Sequence, residues 1–402
     1  MKTKHLFIPI LLVNLCLATS CTNTSGDIPV IDLDNPIGYI DLKLSDLLDD
    51  ITIVPLETRD DLLLSTRASF TVSSRYILAD VQDKLLQFDR QGKFIRTLAT
   101  QGNGPNEFEV IVNPLIDEDQ EIFYYSSYGR NRSISRISMK TATFPEPLYL
   151  DMPPFSIKEI DNKGNIYGFP AVVDSVLLAY RYSPADKSVT IYQRHHPFVA
   201  GGIDQEMYRQ GDHIFFFSFP YSDTLFKIDG SKTIPQYIIK ANNLRTRDLA
   251  KGDVGLKIRY SGAKGTIIEK WRQQVLTNEY GRTFGSYAIA YLFLNERQES
   301  QSIRSITIDP LALTIYELIT IKDADDYIKS LSEMQRRTLI RPFPAISGLW
   351  GHIAVESADM IERIEQALKS SQLSTLQRKR LEEVSTKIDE DSNPVLIIGK
   401  VK

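Results

Sequence analysis

Short apolar segments alternate with polar turns over most of the chain, and this pattern recurs at a nearly constant interval. The clearest copy begins at Tyr76 (YILADVQDKLLQFDRQGKFIRTL), where the apolar positions predict three strands separated by turns at 80–84 and 90–92. Further copies begin near Ile122, Ile166, Ile214, Tyr287 and, more weakly, Leu349. The first intervals are close to the roughly 40–45 residues of one four-stranded blade. The pattern therefore predicts an all-β fold, a six-bladed β-propeller.

The later intervals are longer, and their surplus has helix-like periodicity. Thr266 and Glu269 have the spacing of a capping box, as do Ser374 and Gln377. We therefore expect helical insertions near 246–281, 323–339 and 357–391, between the later blades. Their apolar positions form single stripes, so we expect the helices to pack on the flank of the propeller rather than to bind a cofactor.

Closure of the ring is predicted to involve both ends of the chain. The segment 51–56 (ITIVPL) and the segment 395–401 (VLIIGKV) are both strand-like, and both lie outside the complete units. An open array of sheets would expose edge strands, so we expect these two segments to pair in a mixed last blade. This places the propeller at residues 51–402.

The N-terminus has the pattern of an export signal. Two lysines precede an apolar run at 6–18, which is shorter than the roughly 20 residues of a membrane-spanning helix. The small residues 18–20 then precede Cys21, as in a bacterial lipobox. We expect residues 1–20 to be a lipoprotein signal peptide and Cys21 to carry lipid; an ordinary cleaved signal is the alternative. Residues 21–50 are expected to form a tether and an N-terminal extension.

Composition excludes several classes of function. The 402 residues are 42% hydrophobic and 24% charged, which is typical of globular proteins rather than disordered ones. Lys and Arg total 47 against 51 Asp and Glu, so the basic excess of a general nucleic-acid binder is missing. Cleavage of the signal peptide removes Cys16, and the other of the two cysteines, Cys21, is expected to carry lipid. We therefore expect no disulfide within the chain, no cysteine-ligated zinc and no thiol nucleophile.

Several motifs carry a family resemblance. They are VPLET at 54–58, FDRQGKF at 88–94, GNGPNEF at 102–108, SDTLFKID at 222–229 and the closing NPVLIIGKVK. With them the chain resembles the six-bladed β-propeller lipoproteins of Bacteroidetes, which are distantly similar to NHL-type propellers. The resemblance implies the propeller, lipoprotein export and a place in the cell envelope, at the outer membrane, on its periplasmic or surface side. It implies little about activity, because a fold does not fix a function.

The GNGPNEF segment is the most specific motif. Its residues Gly102, Gly104, Pro105 and Glu107 lack the Lys-Ser/Thr of a phosphate-binding loop. We expect a structural crossover between blades, in which the glycines adopt positive φ and Glu107 binds backbone N–H groups of the turn. A ligand loop is the alternative.

Other candidate residues give weaker signals. Tyr128, Arg130 and Arg132 occupy a polar turn, where they are possible contacts at the mouth of a funnel for a sugar or peptide. No metal site is expected from His195, His196 and His213, because neighbouring residues of a strand point to opposite faces. Two triplets match an O-glycosylation acceptor by composition alone, 174–176 (DSV) and 223–225 (DTL).

These features favour a lipid-anchored binding module that needs no cofactor and takes a protein, peptide or glycan partner. The alternative is a polysaccharide hydrolase or lyase that uses loop acids above the central channel. A structural subunit of an outer-membrane uptake complex is a third possibility. We expect a perturbed carboxylate in a deep channel to favour the enzyme, and a shallow face with exposed aromatic residues to favour the binding module.

Overall fold

The structure, a computed structural model, shows six sheets of four to six strands arranged as the blades of a propeller. It describes residues 28–402 apart from 65–67, 82, 105, 127–132, 151–153, 171–176, 194–203, 220–223, 242–253, 279–280, 318–344 and 348. The predicted all-β, six-bladed propeller is confirmed.

The chain enters along the outside of the ring before it builds the blades. Its first elements are β1 (Val30–Asp32), β2 (Tyr39–Lys43), the single turn α1 (Leu44–Leu47) and β3 (Leu48–Pro55). Blade 1 contains β4 (Ser69–Val72), β5 (Tyr76–Asp80), β6 (Lys84–Asp89) and β7 (Phe94–Gln101), with the short β8 (Glu107–Phe108) parallel to β7. Blade 2 contains β9 (Val112–Asp117), β10 (Ile122–Ser126), β11 (Ser133–Ser138) and β12 (Leu148–Tyr149).

The remaining blades follow the same antiparallel order. Blade 3 contains β13 (Pro154–Ile160), β14 (Ile166–Pro170), β15 (Leu177–Ser183) and β16 (Ser188–Gln193). Blade 4 contains β17 (Asp204–Gln210), β18 (His213–Phe219), β19 (Thr224–Asp229) and β20 (Lys232–Lys240). Blade 5 contains β21 (Val254–Gly262), β22 (Gly265–Asn278), β23 (Gly281–Asn295) and β24 (Ser300–Ile308), with β25 (Leu313–Glu317) added to β24. Blade 6 contains β26 (Ala345–Ser347), β27 (Trp350–Val355) and β28 (Val395–Val401), together with β3.

The ring is closed and its core lies between the blades. Each inner strand contacts the next in the order β4, β9, β13, β17, β21, β26 and back to β4. Six clusters of buried apolar side chains occupy the six spaces between neighbouring blades. Burial of large side chains at these contacts supplies most of the stabilising free energy, since apolar burial contributes about 25 cal/mol per Å².

The predicted closure between the two ends of the chain is confirmed. In blade 6, β28 pairs antiparallel with β3, from Val395 opposite Pro55 to Val401 opposite Leu48. Residues 395–398 are completely buried, so this strand lies in the interior of its sheet. Loss of β28 would separate β3 from β27 and open the ring.

Part of the segment 21–50, expected to form a tether and an N-terminal extension, lies within the described residues. Residues 28–47, which we call the strap, pass along the outer strands of blades 4 and 5. There β1 pairs parallel with β20, and β2 pairs parallel with β24. Ile31, Leu33 and Leu42 are buried between the strap and the blades. The strap belongs to the propeller because the outer strands offer unpaired backbone groups that an extended chain satisfies.

The predicted helical insertion at 246–281 is wrong over its described part. Residues 265–278 form the strand β22, which pairs with β21 on one side and β23 on the other. Thr266 bonds the hydroxyl of Ser261, and the carboxylate of Glu269 pairs with Arg259, so neither residue caps a helix. Partners on both sides, together with the β-branched Ile267 and Ile268, favour the strand over the local helix spacing. Because β22 was expected to be helical, the fifth repeat was predicted to begin at Tyr287, which lies on the third strand of blade 5 instead of the second.

Two helices do occur in the last predicted insertion, at α2 (Ser357–Leu368) and α3 (Thr375–Ser385). Ser374 and Gln377 form the predicted capping box at the start of α3. Met360, Ile364 and Leu381 pack into the cluster between blades 5 and 6, as expected for helices docked on the propeller. The insertion expected at 323–339 lies outside the described residues.

Candidate functional site

The two ends of the ring differ in how the strands are connected. Strands alternate in direction within each blade, so the connections between second and third strands share one end with the crossovers from blade to blade. We call this the crossover end and the opposite one the turn end. In propellers and other scaffolds, binding residues are carried mostly by the longer connections.

The turn end consists of tight turns that satisfy their own polar groups. Asp89, Asp117 and Asp161 each accept two backbone N–H groups of their own turn at 2.9–3.0 Å. Asn295 does the same between β23 and β24 with the N–H groups of residues 297 and 299. These turns therefore leave few hydrogen-bonding groups available for a ligand.

The crossover end carries the largest additions to the ring. Strands β22 and β23 of blade 5 have 14 and 15 residues, whereas the second and third strands of the other five blades have five to seven. About eight extra residues at about 3.3 Å each carry this hairpin roughly 25 Å past the neighbouring blades. The helices α2 and α3 leave from the same end of the adjacent blade 6. The helices pack against the outer strand β25 of blade 5. The longer hairpin makes this end asymmetric.

The GNGPNEF segment forms the crossover from blade 1 to blade 2. The carboxylate of Glu107 accepts the Gly104 N–H at 2.7 Å, and the Gly102 N–H donates to the carbonyl of Phe108 at 3.0 Å. The predicted positive φ at the two glycines is wrong. At Gly102 an added Cβ would instead overlap the Glu107 carboxylate, so a side chain there would have to displace that carboxylate. Pro105 lies outside the described residues.

The inner strand β13 carries a carboxyl group with a perturbed pKa. Glu159 lies on the inner strand β13 and keeps part of its surface exposed, but the neighbouring inner strands enclose it. Burial raises the pKa of Glu159 to about 8, against the opposing effects of Arg209 and Lys158. Arg209 of β17 donates to the carbonyl of Ile160 at 3.0 Å and so ties the two inner strands together. A carboxyl with this pKa is protonated at neutral pH.

A depression of about 640 Å³ lies between β3 with the residues that follow it, the turn after β6 in blade 1, and the end of the helical insertion. The guanidinium of Arg90 packs over the ring of Trp350 at 4.4 Å from its centroid, and burial lowers the pKa of Arg90. Lys387 and Arg90 face the same space as Glu57 and Asp389. The mixture of signs gives the depression no preference for a ligand of one charge.

Asn393 is a residue that the sequence did not single out. Its side chain is 3% exposed and holds the crossover from blade 6 to blade 1. The amide nitrogen donates to the carbonyls of Glu57 and Leu62 at 2.7 Å, and the amide oxygen accepts the Leu64 N–H at 2.8 Å. An asparagine after a polar run gives no signal of contacts more than 300 residues away.

Several predicted site residues lie outside the described residues: Cys21, Tyr128, Arg130, Arg132, His195, His196, the triplet 174–176 and Asp223. The strands that flank Tyr128, Arg130 and Arg132 are β10 and β11, whose adjoining ends are at the crossover end. His213 lies within 3.3 Å of the Lys227 amine. The described residues contain no group of three metal-ligating side chains, and no described helix is long and apolar enough to cross a membrane.

One solved structure supports the fold, and a second is less similar. A crystal structure from Bacteroides fragilis NCTC 9343, described as a "Putative exported protein", covers 90% of this chain and 100% of its own, with 12% identity and a TM-score of 0.57. A member of the DUF4221 family from Bacteroides vulgatus ATCC 8482 covers 67% of this chain and 91% of its own, with 12% identity and a TM-score of 0.46. No curated protein matches the chain. The model of a domain of unknown function, DUF4934, matches residues 28–280, so the chain belongs to the DUF4934 family.

Proposed function

We propose that this protein is an exported, lipid-anchored binding module of the cell envelope, whose crossover end binds a protein, peptide or glycan partner. The single observation that carries the proposal is the asymmetry of that end, where the hairpin of blade 5 has strands of 14 and 15 residues. The lipobox-like Cys21 and the exported description of the similar Bacteroides structure support the location.

A protein that only needed a closed ring would gain nothing from this longer hairpin. Ordering a hairpin of this length costs conformational entropy, and the turn end shows that the chain closes its other connections tightly. An extended, asymmetric surface on a rigid scaffold is instead typical of a site that recognises a partner.

The test shortens the hairpin without disturbing the blade. Lys270 is paired with Ala290, so replacing residues 271–289 by Asn-Gly leaves strands as long as those of other blades and a favourable two-residue turn. The matched control replaces residues 184–187, which are closed by Ser183 opposite Ser188 at the turn end, by the same Asn-Gly. Both variants should keep the parent's melting temperature.

The lipoprotein is then purified from its own membranes, the molecules that accompany it are identified, and binding to a glycan array is measured in parallel. We expect the hairpin variant to lose the specific partner and the control to retain it. Retention of the partner by a folded hairpin variant would show that the crossover end of blade 5 is not the binding surface.

A second candidate, a polysaccharide hydrolase or lyase, is favoured by one observation, the raised pKa of Glu159 on the inner strand β13. A carboxyl protonated at neutral pH suits a general acid, and a glycosidase needs a second carboxylate nearby. Glu206 is the half-buried acid of the neighbouring inner strand β17. Release of reducing ends from a panel of polysaccharides by the parent, and its loss in a folded Glu159→Gln variant, would establish this candidate over the binding module.

A further inference from the structure

Exposed apolar side chains are concentrated on the strap. Of the twelve exposed large apolar side chains among the described residues, four lie within residues 28–39, and the other eight are scattered over the rest of the described chain. The four are Ile28, Val30, Ile37 and Tyr39, with 37%, 58%, 65% and 65% of their surface exposed. We call them the apolar face of the strap. Four such side chains within twelve residues along the outer edge of two neighbouring blades indicate a surface that is covered in use.

The charges around this face are neutralised by the blades beneath. Asp32 pairs with Lys240 and Asp34 pairs with Lys270, each at 2.7 Å, and Asp41 pairs with the guanidinium of Arg304. The pKa of Asp32 is lowered chiefly by its bond from Lys240, and that of Asp41 is lowered to about 2 chiefly by Arg304. Paired carboxylates present little net charge, so they would not repel an anionic surface as free ones would.

The length of the N-terminal segment limits where this face can be. Six residues separate Cys21 from Ile28, which makes seven steps along the chain, and a fully extended chain spans at most about 3.6 Å per step. If Cys21 is lipidated, Ile28 therefore lies within about 25 Å of the bilayer surface. Val30, Ile37 and Tyr39 follow within the next eleven residues of the same strap. Isoleucine, valine and tyrosine are residue types that enter the interface between headgroups and acyl chains.

We infer that the apolar face of the strap lies against the lipid bilayer, so that the propeller stands on the edge formed by blades 4 and 5. The inference rests on the lipid anchor of the proposed function and adds the orientation of the ring. The ring axis then runs roughly parallel to the membrane, and the crossover end faces sideways into the surrounding space rather than into the bilayer. A partner can reach the long hairpin without displacing lipid.

The test uses the absence of any other cysteine from the mature chain. The lipoprotein is purified and inserted into vesicles of phosphatidylethanolamine and phosphatidylglycerol, and Tyr39→Cys carries a thiol-reactive fluorophore. The matched control is Tyr149→Cys, whose side chain is 67% exposed on the outer strand of blade 2, opposite blade 5 in the ring. We expect brominated lipid to quench the label at residue 39 several-fold more than the label at residue 149.

A second variant separates the apolar face from the short tether. With the label at Val30→Cys, the changes Ile37→Asp and Tyr39→Asp should reduce the quenching several-fold while the protein still floats with the vesicles. Equal quenching at residues 39 and 149 in a lipoprotein that floats would overturn the orientation and leave the lipid anchor standing. Failure of the parent to float would overturn both. Protection of the label at residue 39 in whole membranes, but not in protein-free vesicles, would assign the face to a protein partner and also overturn the inference.

Discussion

The crossover that completes the ring is predicted to depend on Asn393. The side chain makes three hydrogen bonds to residues 57–64, and all are between 2.7 and 2.8 Å. Asn393→Ala removes these bonds and leaves two carbonyls and one N–H group without partners in a buried site. A typical intramolecular hydrogen bond contributes about 1 kcal/mol net, so the three together contribute about 3 kcal/mol. This is a large share of a total stability of about 5–15 kcal/mol.

The assay is equilibrium unfolding in urea, followed by tryptophan fluorescence and circular dichroism on the same samples. We expect Asn393→Ala to lower the free energy of unfolding by about 3 kcal/mol without changing the denaturant slope. The control is Asn35→Ala, whose amide bonds Asp32 on the exposed strap and should contribute less than about 0.5 kcal/mol.

The variant Asn393→Asp tests the same contacts through the pH dependence of stability. Aspartate keeps the acceptor for the Leu64 N–H, but its charge faces the carbonyl oxygens of Glu57 and Leu62. The folded state should therefore raise the pKa of this carboxyl, so the loss of stability relative to the parent should shrink as the pH falls toward 4. If Asn393→Ala costs no more than Asn35→Ala, water replaces the lost bonds, and the assignment of Asn393 to ring closure is refuted.

The other predictions concern closure, the GNGPNEF crossover and a buried histidine. Deletion of residues 395–402 removes an interior strand of blade 6, so we expect loss of the cooperative thermal transition and aggregation through the opened edge; an unchanged melting temperature would place closure elsewhere. Gly102→Val should lower the melting temperature more than Gly104→Val, because an added Cβ overlaps the Glu107 carboxylate at the first position but lies 3.0 Å from it at the second; equal losses would contradict this geometry. Burial lowers the pKa of His352 to about 4, so the unfolded chain binds its proton first, and stability should fall by up to about 3 kcal/mol as the pH drops from 6.5 to 4. Relative to the parent, a folded His352→Phe variant should show a flatter pH dependence of urea unfolding over that range, and an identical one would contradict the assignment.

The repeating pattern predicted the blades because each blade is a local unit. The copies near Tyr76, Ile122, Ile166 and Ile214 mark the second strand of the first four blades. In a strand buried on one or both faces, apolar residues follow the period of the strand itself, so no knowledge of distant parts of the chain is needed. The strand at 395–401 was predicted for the same reason, since an apolar run without a local partner must pair with the other end of the ring.

The segment 265–278 shows where local pattern is insufficient. Its first turn has a helix-capping spacing, and its residues have no strict alternation. The decision between helix and strand depends on β21 and β23, which supply partners on both sides. Local preferences differ by only fractions of a kcal/mol per residue, whereas a full ladder on two sides satisfies every backbone group.

By itself the sequence determined the class of the fold, the number of blades and the strand that closes the ring, because each strand is predicted from residues close together in the chain. Only the tertiary structure decided that the strap belongs to blades 4 and 5. The same holds for Asn393, which bonds a crossover more than 300 residues away. These features depend on groups that come into contact only in the folded ring, so the local pattern of apolar and polar residues cannot predict them.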